Sequence, residues 1–418
     1  MSKLRLVGAA ARAAARTLAL APAAQRTQAL HALAAALRTQ HQPVLAANAA
    51  DQAAARTANI SEPLAERLLL NEQRLAAMAA DVAAIANLPD PIGEIFDERT
   101  LPNGLQVHRQ RVPIGVLGVV YESRPNVTID VAALCLRSGN AAILRGGSEA
   151  LRSNLALGAL VRSALASAGI AEAAIQLVES TDRAQLLELL QMHDCLDLLI
   201  PRGGNALHEF CREHSRVPVI TGGVGVCHLY VDDSANQAAA LDVIYNSKVQ
   251  RPSVCNALDT LLVDAALAPA LLPAVVTRLG AAGVAFRADP AAHALLAGNP
   301  AVLAATGADF DTEWLALVLG LRVVSGLDEA LAHIAQHSMA HSDGILTQTA
   351  AHAARFVAEV DSAGVFVNAS TRFNDGAQLG LGGETAVSTQ RLHVRGPMGI
   401  NEMTTYKTVV RGNYAVRA

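Results

Sequence analysis

Aromatic residues make up only 3% of this 418-residue chain and charged ones 17%, so its 52% hydrophobic content is largely aliphatic. Mean hydropathy is positive, +0.29, yet no uninterrupted apolar run approaches the ~18 residues a membrane-spanning helix needs. The longest candidates, such as Ala265 to Val276, are short and carry Pro269 and Pro273. A secretory leader is not expected either, because Arg12 and Arg16 interrupt the apolar part of the N-terminus. The net charge of −4 offers no basic field for nucleic acid. Cysteines 135, 195, 211, 227 and 255 form no CxxC pair and no metal spacing with His. A cytosolic protein with reduced thiols is expected, with no nucleic-acid partner, no membrane and no metal. Also missing are the G-x-G-x-x-G dinucleotide fingerprint, internal repeats and low-complexity linkers.

The length exceeds one ordinary core and predicts two or three domains. From Ser2 to about Ala86 the Ala-rich pattern predicts helices, with Pro22, Pro43 and Pro63 near starts or breaks. Leu105–Arg111 alternates and reads as a strand with one side free for solvent or another subunit. Gly115–Tyr121 is apolar throughout, as a strand covered on both faces would be. Strands are then predicted at 141–144, 175–178, 196–200 and 217–221, with helices at 149–168, 182–192 and 205–214 between them. That rhythm builds a doubly wound parallel sheet. A second α/β passage starts with a helix at 236–246 and has strands at 257–263, 321–324, 344–346 and 364–367. The β-branched, half-polar run Met403–Val410 pairs either with Leu105–Arg111 or with another chain.

The chemistry-bearing residues gather at strand ends, where ligands of parallel sheets bind. Cys255 follows a polar, cationic approach, Asn246-Ser-Lys-Val-Gln-Arg-Pro-Ser-Val, and precedes an apolar run to Val263. Lys248 and Arg251 favour its thiolate, the form that attacks electrophiles. The other four cysteines read as small core residues. After Gly115–Tyr121 comes Glu122-Ser-Arg-Pro-Asn126, opening a helix. Asn126 there is either a helix cap or a donor to a developing oxyanion. Arg145-Gly-Gly-Ser148 and Pro201-Arg-Gly203-Gly204 each follow a strand and precede a helix, where free N–H groups suit an anion. Thr221–His228 reads as a flexible loop, with His228 structural. Gly380–Glu384 and Arg395–Gly399 either wall a cleft or are simply turns.

Together Glu122-Ser-Arg-Pro-Asn-Val-Thr, Ile143-Leu-Arg-Gly-Gly-Ser-Glu, Pro201-Arg-Gly-Gly, Gln250-Arg-Pro-Ser-Val-Cys-Asn and Arg395-Gly-Pro-Met-Gly resemble the gamma-glutamyl phosphate reductases of the aldehyde dehydrogenase superfamily. The resemblance runs in order over essentially the whole chain. It implies an α/β, aldehyde-dehydrogenase-like fold with a Rossmann-type nucleotide-binding domain (1–99 and 116–233) and a catalytic domain (234–385). A small β oligomerisation hairpin (100–115 and 386–418) would make a homo-oligomer.

It further implies NADPH-dependent reduction of L-glutamyl 5-phosphate to glutamate 5-semialdehyde, the second step of proline biosynthesis, through a thioester on Cys255. Asn126 becomes the oxyanion donor, and Arg145 lies against the adenosine ribose. Ser148, standing where NAD-preferring relatives carry an acid, points to NADPH/NADP. Gly203 and Gly204 complete the cofactor loops, and Glu313 holds the nicotinamide ribose. Lys248, Arg251 and Arg372 are candidates for the substrate's carboxylate and phosphate. A transient hand-over from glutamate 5-kinase stays open.

One departure from the aldehyde-oxidising relatives is informative. They carry a water-activating Glu before the cysteine domain, whereas Pro218 to Val231 holds no carboxylate. That disfavours a hydrolytic aldehyde dehydrogenase; a non-catalytic binding protein is the rival of another class, and retention of Cys255 and Asn126 speaks against it.

Overall fold

The computed structural model describes residues 2–60, 62–222 and 225–417. The chain falls into two compact units, residues 1–221 with 380–386 and 397–418, and residues 222–379 with 387–396.

The first unit opens with five helices: α1 (Lys3–Leu18), α2 (Ala23–Thr39), α3 (Gln42–Thr57), α4 (Glu62–Leu68) and α5 (Glu72–Asn87). Their starts follow the local chemistry. Ser2 and Asn71 accept from the N–H groups of Arg5 and Arg74 at the heads of α1 and α5, Pro22 directly precedes α2, and Pro43 sits in the first turn of α3. Two antiparallel strands, β1 (Ile95–Thr100) and β2 (Gln106–Pro113), come next. The C-terminal strand Thr404–Arg411 pairs with β2 from Thr404↔Pro113 to Arg411↔Gln106, so the two half-polar runs meet within this chain. β1 (Ile-Phe-Asp-Glu-Arg-Thr) escaped the sequence reading because it lies exposed, held by ladder hydrogen bonds rather than by a buried face.

The same unit carries β3 (Val116–Tyr121), α6 (Asn126–Arg137), β4 (Ala141–Gly146), α7 (Leu151–Ser167), β5 (Ile175–Leu177), α8 (Arg183–Leu190), β6 (Leu198–Arg202) and α9 (Asn205–His214). The four strands are parallel in the order β5-β4-β3-β6. β3, between β4 and β6, is buried at every residue, which accounts for its uninterrupted apolar sequence. The chain moves from β3 first to β4 on one side and later to β6 on the other. The crevice beyond the carboxyl ends of β3 and β6 is therefore the switch point of this sheet. Val217–Thr221, read as a strand, contributes only an isolated bridge from Val219 to Leu199.

The second unit holds β7 (Cys227–Val231), α10 (Gln237–Val249), β8 (Leu258–Asp264), α11 (Ala268–Gly280), β9 (Ala285–Ala288), α12 (Pro290–Leu295), β10 (Val302–Ala304), β11 (Val318–Val324), α13 (Leu327–His337), β12 (Ser342–Leu346), α14 (Ala350–Glu359) and β13 (Gly364–Val367). Its seven-stranded parallel sheet runs β10-β9-β11-β8-β7-β12-β13. β8 sits centrally, with all seven residues buried and Leu258, Leu261 and Val263 in the main apolar cluster.

β7 corrects one expectation. Cys227 and His228, the last two residues of the expected loop, open a strand (Cys227–Val231) paired on both edges, to β8 and β12. Gly223 and Val224 of the same expected loop lie outside the described residues.

Gly380 and Gly382 sit at positive φ, as turns require, whereas Gly396–Pro397 forms a short strand with Gly396 at positive φ. Among the described residues no helix is long and apolar enough to cross a membrane.

Candidate active site

Cys255 is the second residue of a tight turn between α10 and β8, closed by the Ala257 N–H donating to the Val254 carbonyl at 3.0 Å. Thr371 Oγ1 donates to the Asn256 carbonyl (2.8 Å), and Asn256 Nδ2 to the Asn374 carbonyl (3.1 Å), so the far side of the turn is fixed. Cys255 is half-buried, whereas Cys135, Cys195, Cys211 and Cys227 are buried. Burial pushes the thiols of Cys135, Cys211 and Cys227 upward, away from thiolate.

The floor under Cys255 comes from residues remote in sequence. Cys227 Sγ donates to the Cys255 carbonyl at 3.2 Å. A Cβ on Gly225 would stand 2.2 Å from that carbonyl oxygen, a backbone atom with nowhere to go, so only glycine fits. The Gly225 N–H donates to Glu313 Oε1 at 3.1 Å, which brings the half-buried Glu313 to the same loop.

Three cations are expected around the thiol. Arg372 donates through Nε to Gln250 Oε1 (3.0 Å) and feels both Cys255 and the exposed Arg251; burial lowers its pKa and Asp375 partly offsets that. Lys248 is different. Its side chain is fully buried, with Nζ 3.8 Å from Asp259 Oδ1, and burial lowers its pKa. As placed, it is a buried counter-charge to Asp259.

In the first unit the sequence-predicted residues stand at the carboxyl ends of the parallel strands. Asn126 is the first residue of α6 and caps nothing; Pro125 precedes it. Its Nδ2 donates instead to Asp130 Oδ2, one turn on, at 2.8 Å. Burial raises the Asp130 pKa to about 7, and the bond from Asn126 works against that rise. One amide hydrogen is thus committed, which orients the group while the second stays able to donate. Ser123, at φ 42, has its N–H and hydroxyl both on Glu149 Oε1 (2.6 and 2.7 Å). Across the switch point the Gly204 N–H donates to Glu122 Oε2 at 3.0 Å.

Arg145 is buried at the end of β4. Its Nη2 reaches the Thr181 carbonyl (3.3 Å), Nε has no partner, and burial lowers its pKa. Ser148 and Gly204 are exposed beyond their strands. This donor set fits a nucleotide: an orphaned guanidinium nitrogen, a short neutral hydroxyl, and an open Gly204 with nothing within 4 Å of where a Cβ would stand. At Gly203 a Cβ would stand 2.3 Å from the Glu122 carboxylate.

His228 sits in β7, fully buried, with Nδ1 3.0 Å from Asp343 Oδ1, as a structural histidine should be. Sequence reading missed Asp130, Cys227, Gly225 and Asp259. Only Asp259 left a legible signal, a carboxylate inside the apolar run 257–263.

The sequence pattern of the aldehyde dehydrogenase family matches residues 3–295. The chain is 56% identical to the gamma-glutamyl phosphate reductase of Roseiflexus castenholzii over the full length of both. It is 52% identical to that of Tolumonas auensis, over 99% of this chain and all of the relative. The crystal structure of gamma-glutamyl phosphate reductase from Thermotoga maritima superposes with a TM-score of 0.95 at 42% identity, covering 100% of both chains.

Proposed function

This chain is an oxidoreductase belonging to the aldehyde dehydrogenase family, and from that membership we propose that it reduces L-glutamyl 5-phosphate to L-glutamate 5-semialdehyde and inorganic phosphate with NADPH, in proline biosynthesis. The observation that carries the reading is the placement of Cys255: it alone of the five cysteines is not buried, and it acts electrostatically on Arg372.

The Cys255 thiolate attacks the acyl carbon. A C–S bond forms, the acyl C–O bond to phosphate breaks, and phosphate leaves with the electron pair. Arg251 and Arg372 balance the phosphate and α-carboxylate of the substrate. Asn126, its amide oriented by Asp130, donates to the tetrahedral oxyanion. The nicotinamide cofactor, when bound, supplies the hydride that with one proton takes the thioester to the aldehyde and returns the thiol. Arg145, Ser148, Gly203 and Gly204 would hold the nucleotide part of the cofactor, and Glu313 its nicotinamide ribose. Neutral Ser148 leaves room for a 2′-phosphate. Asp259, the carboxylate that folding brings under the thiol's floor, spends both oxygens on backbone N–H groups and is no base for water. The exposed strand Thr404–Arg411, at the edge of its three-stranded sheet, supports a homo-oligomer.

The test is the reverse reaction, phosphate-dependent oxidation of glutamate semialdehyde, run with NADP and with NAD. Phosphate dependence and faster turnover with NADP are expected. Oxidation of simple aldehydes without phosphate would favour a hydrolytic dehydrogenase instead.

A further inference from the structure

Asp259 lies in β8, four residues after Cys255, and is 2% exposed. Its two oxygens serve two different segments, the start of β7 and the loop before β11. Oδ2 accepts from the Cys227 N–H at 3.3 Å, and Oδ1 accepts from the Trp314 N–H at 3.1 Å. Each segment also touches the candidate site. Cys227 holds the Cys255 carbonyl through its thiol, and Trp314 follows Glu313, which accepts from the Gly225 N–H. The contacts close a ring: Cys255 to Cys227, Cys227 to Asp259, Asp259 to Trp314, then Glu313 to Gly225, back under Cys255.

Stability does not explain the charge in this ring. Burial drives Asp259 up to about 6 and Lys248 down, so each partner is pushed toward its neutral form despite the other. The Lys248 ammonium makes no hydrogen bond among the described residues. A pair that does not recover its desolvation cost is a poor stabiliser, and an apolar pair of the same volume would serve a fold as well or better. A carboxylate offers what an apolar or amide group lacks, two acceptor oxygens for two N–H donors on separate segments.

We infer that Asp259, with Lys248 as its buried counter-charge, is a positioning residue that holds the thiol-bearing turn and the Glu313 segment in one register. Acyl carrier and ribose-binding carboxylate then keep a fixed separation through the hydride step. The inference rests on the roles proposed above for Cys255 and Glu313.

The test is a double-mutant cycle on the full-length enzyme, reading kcat and the KM for NADP in the reverse assay. Asp259→Asn leaves one acceptor and turns an N–H toward the second donor. Asp259→Asn and Glu313→Gln should each raise the cofactor KM about tenfold. The double variant should be no worse than Glu313→Gln alone, within about twofold, because Asp259 acts through Glu313. Losses that multiply overturn the positioning role alone, and so does an Asp259→Asn enzyme that melts earlier with its KM unchanged. A Glu313→Gln enzyme with unchanged KM removes the ribose assignment instead. If Asp259→Asn does not fold, Lys248→Met enters the same cycle under the same criteria, since loss of the counter-charge favours a protonated Asp259, which trades one acceptor for a donor.

Discussion

The two units anchor their candidate residues in different ways. In the first, each residue stands at the end of a parallel strand and is steadied from the next turn or the neighbouring strand end. Asn126 is held by Asp130 within α6, and Gly204 is linked to Glu122 across the switch point. In the second, the turn of Cys255 rests on Cys227, 28 residues earlier, and on a carboxylate that also holds Trp314, 55 residues later. The first arrangement writes itself as motifs, because the groups that act and the groups that place them share one stretch of chain. The second leaves its supports scattered, each looking like ordinary core.

The contrast can be broken or sharpened by substitution. The largest effect belongs to the second unit: Cys255→Ala should leave almost no reduction of the acyl phosphate, measured as phosphate-dependent NADP turnover in reverse. Near-parental rates would end the covalent route for both units at once. Next comes Asn126→Ala, which should retain measurable turnover at a cost of ~2.7–4 kcal/mol, about a hundredfold to a thousandfold in kcat. Asp130→Asn should cost less than Asn126→Ala, since it frees the donor without deleting it; equality of the two would mean that orientation is everything.

A smaller difference is expected in pH dependence. Asp130 (about 7) and Asp259 (about 6) both sit above the ordinary aspartate value of 3.8, chiefly through burial. The folded protein therefore binds these protons more tightly than the unfolded chain does. Their contribution is fully present below pH 3.8 and is lost as pH rises through 6 for Asp259 and through 7 for Asp130. Urea unfolding between about pH 4 and pH 8 should show the slope reduced in Asp259→Asn up to about pH 6, and in Asp130→Asn up to about pH 7. A variant whose slope matches the parent has lost no such proton. Smallest of all is Lys3→Ala. Its pair with Glu179 is exposed on both sides, so stability should move by less than about 1 kcal/mol.

Much of this was readable in the chain because it depends on neighbours in sequence. β3 has an apolar run because it is covered on both faces, and α6 starts at Asn126 after Pro125 as its motif requires. Cys255 stood out because a polar, cationic segment stops at an apolar strand, which becomes the turn before β8. Thr221–His228 was harder. Glycines beside Cys-His suggested a loop, yet β-branched and aromatic residues just beyond supply β7, and only pairing with β8 and β12 decides where the strand starts.

By itself the sequence determined the alternation of strands and helices, the candidate thiol, and the family to which the whole belongs, since these follow from local propensity, hydrophobic period and motif. Only the tertiary structure decided that Lys248 is buried beside Asp259, and that Asn126 spends one hydrogen on Asp130 instead of capping its helix. It also decided that carboxylates absent from 218–231 arrive beneath that segment from 259 and 313. The physical reason is the same in each case. A hydrogen bond or a buried charge is fixed by which groups lie within about 3 Å once the chain has packed, and separation along the sequence carries no record of that distance.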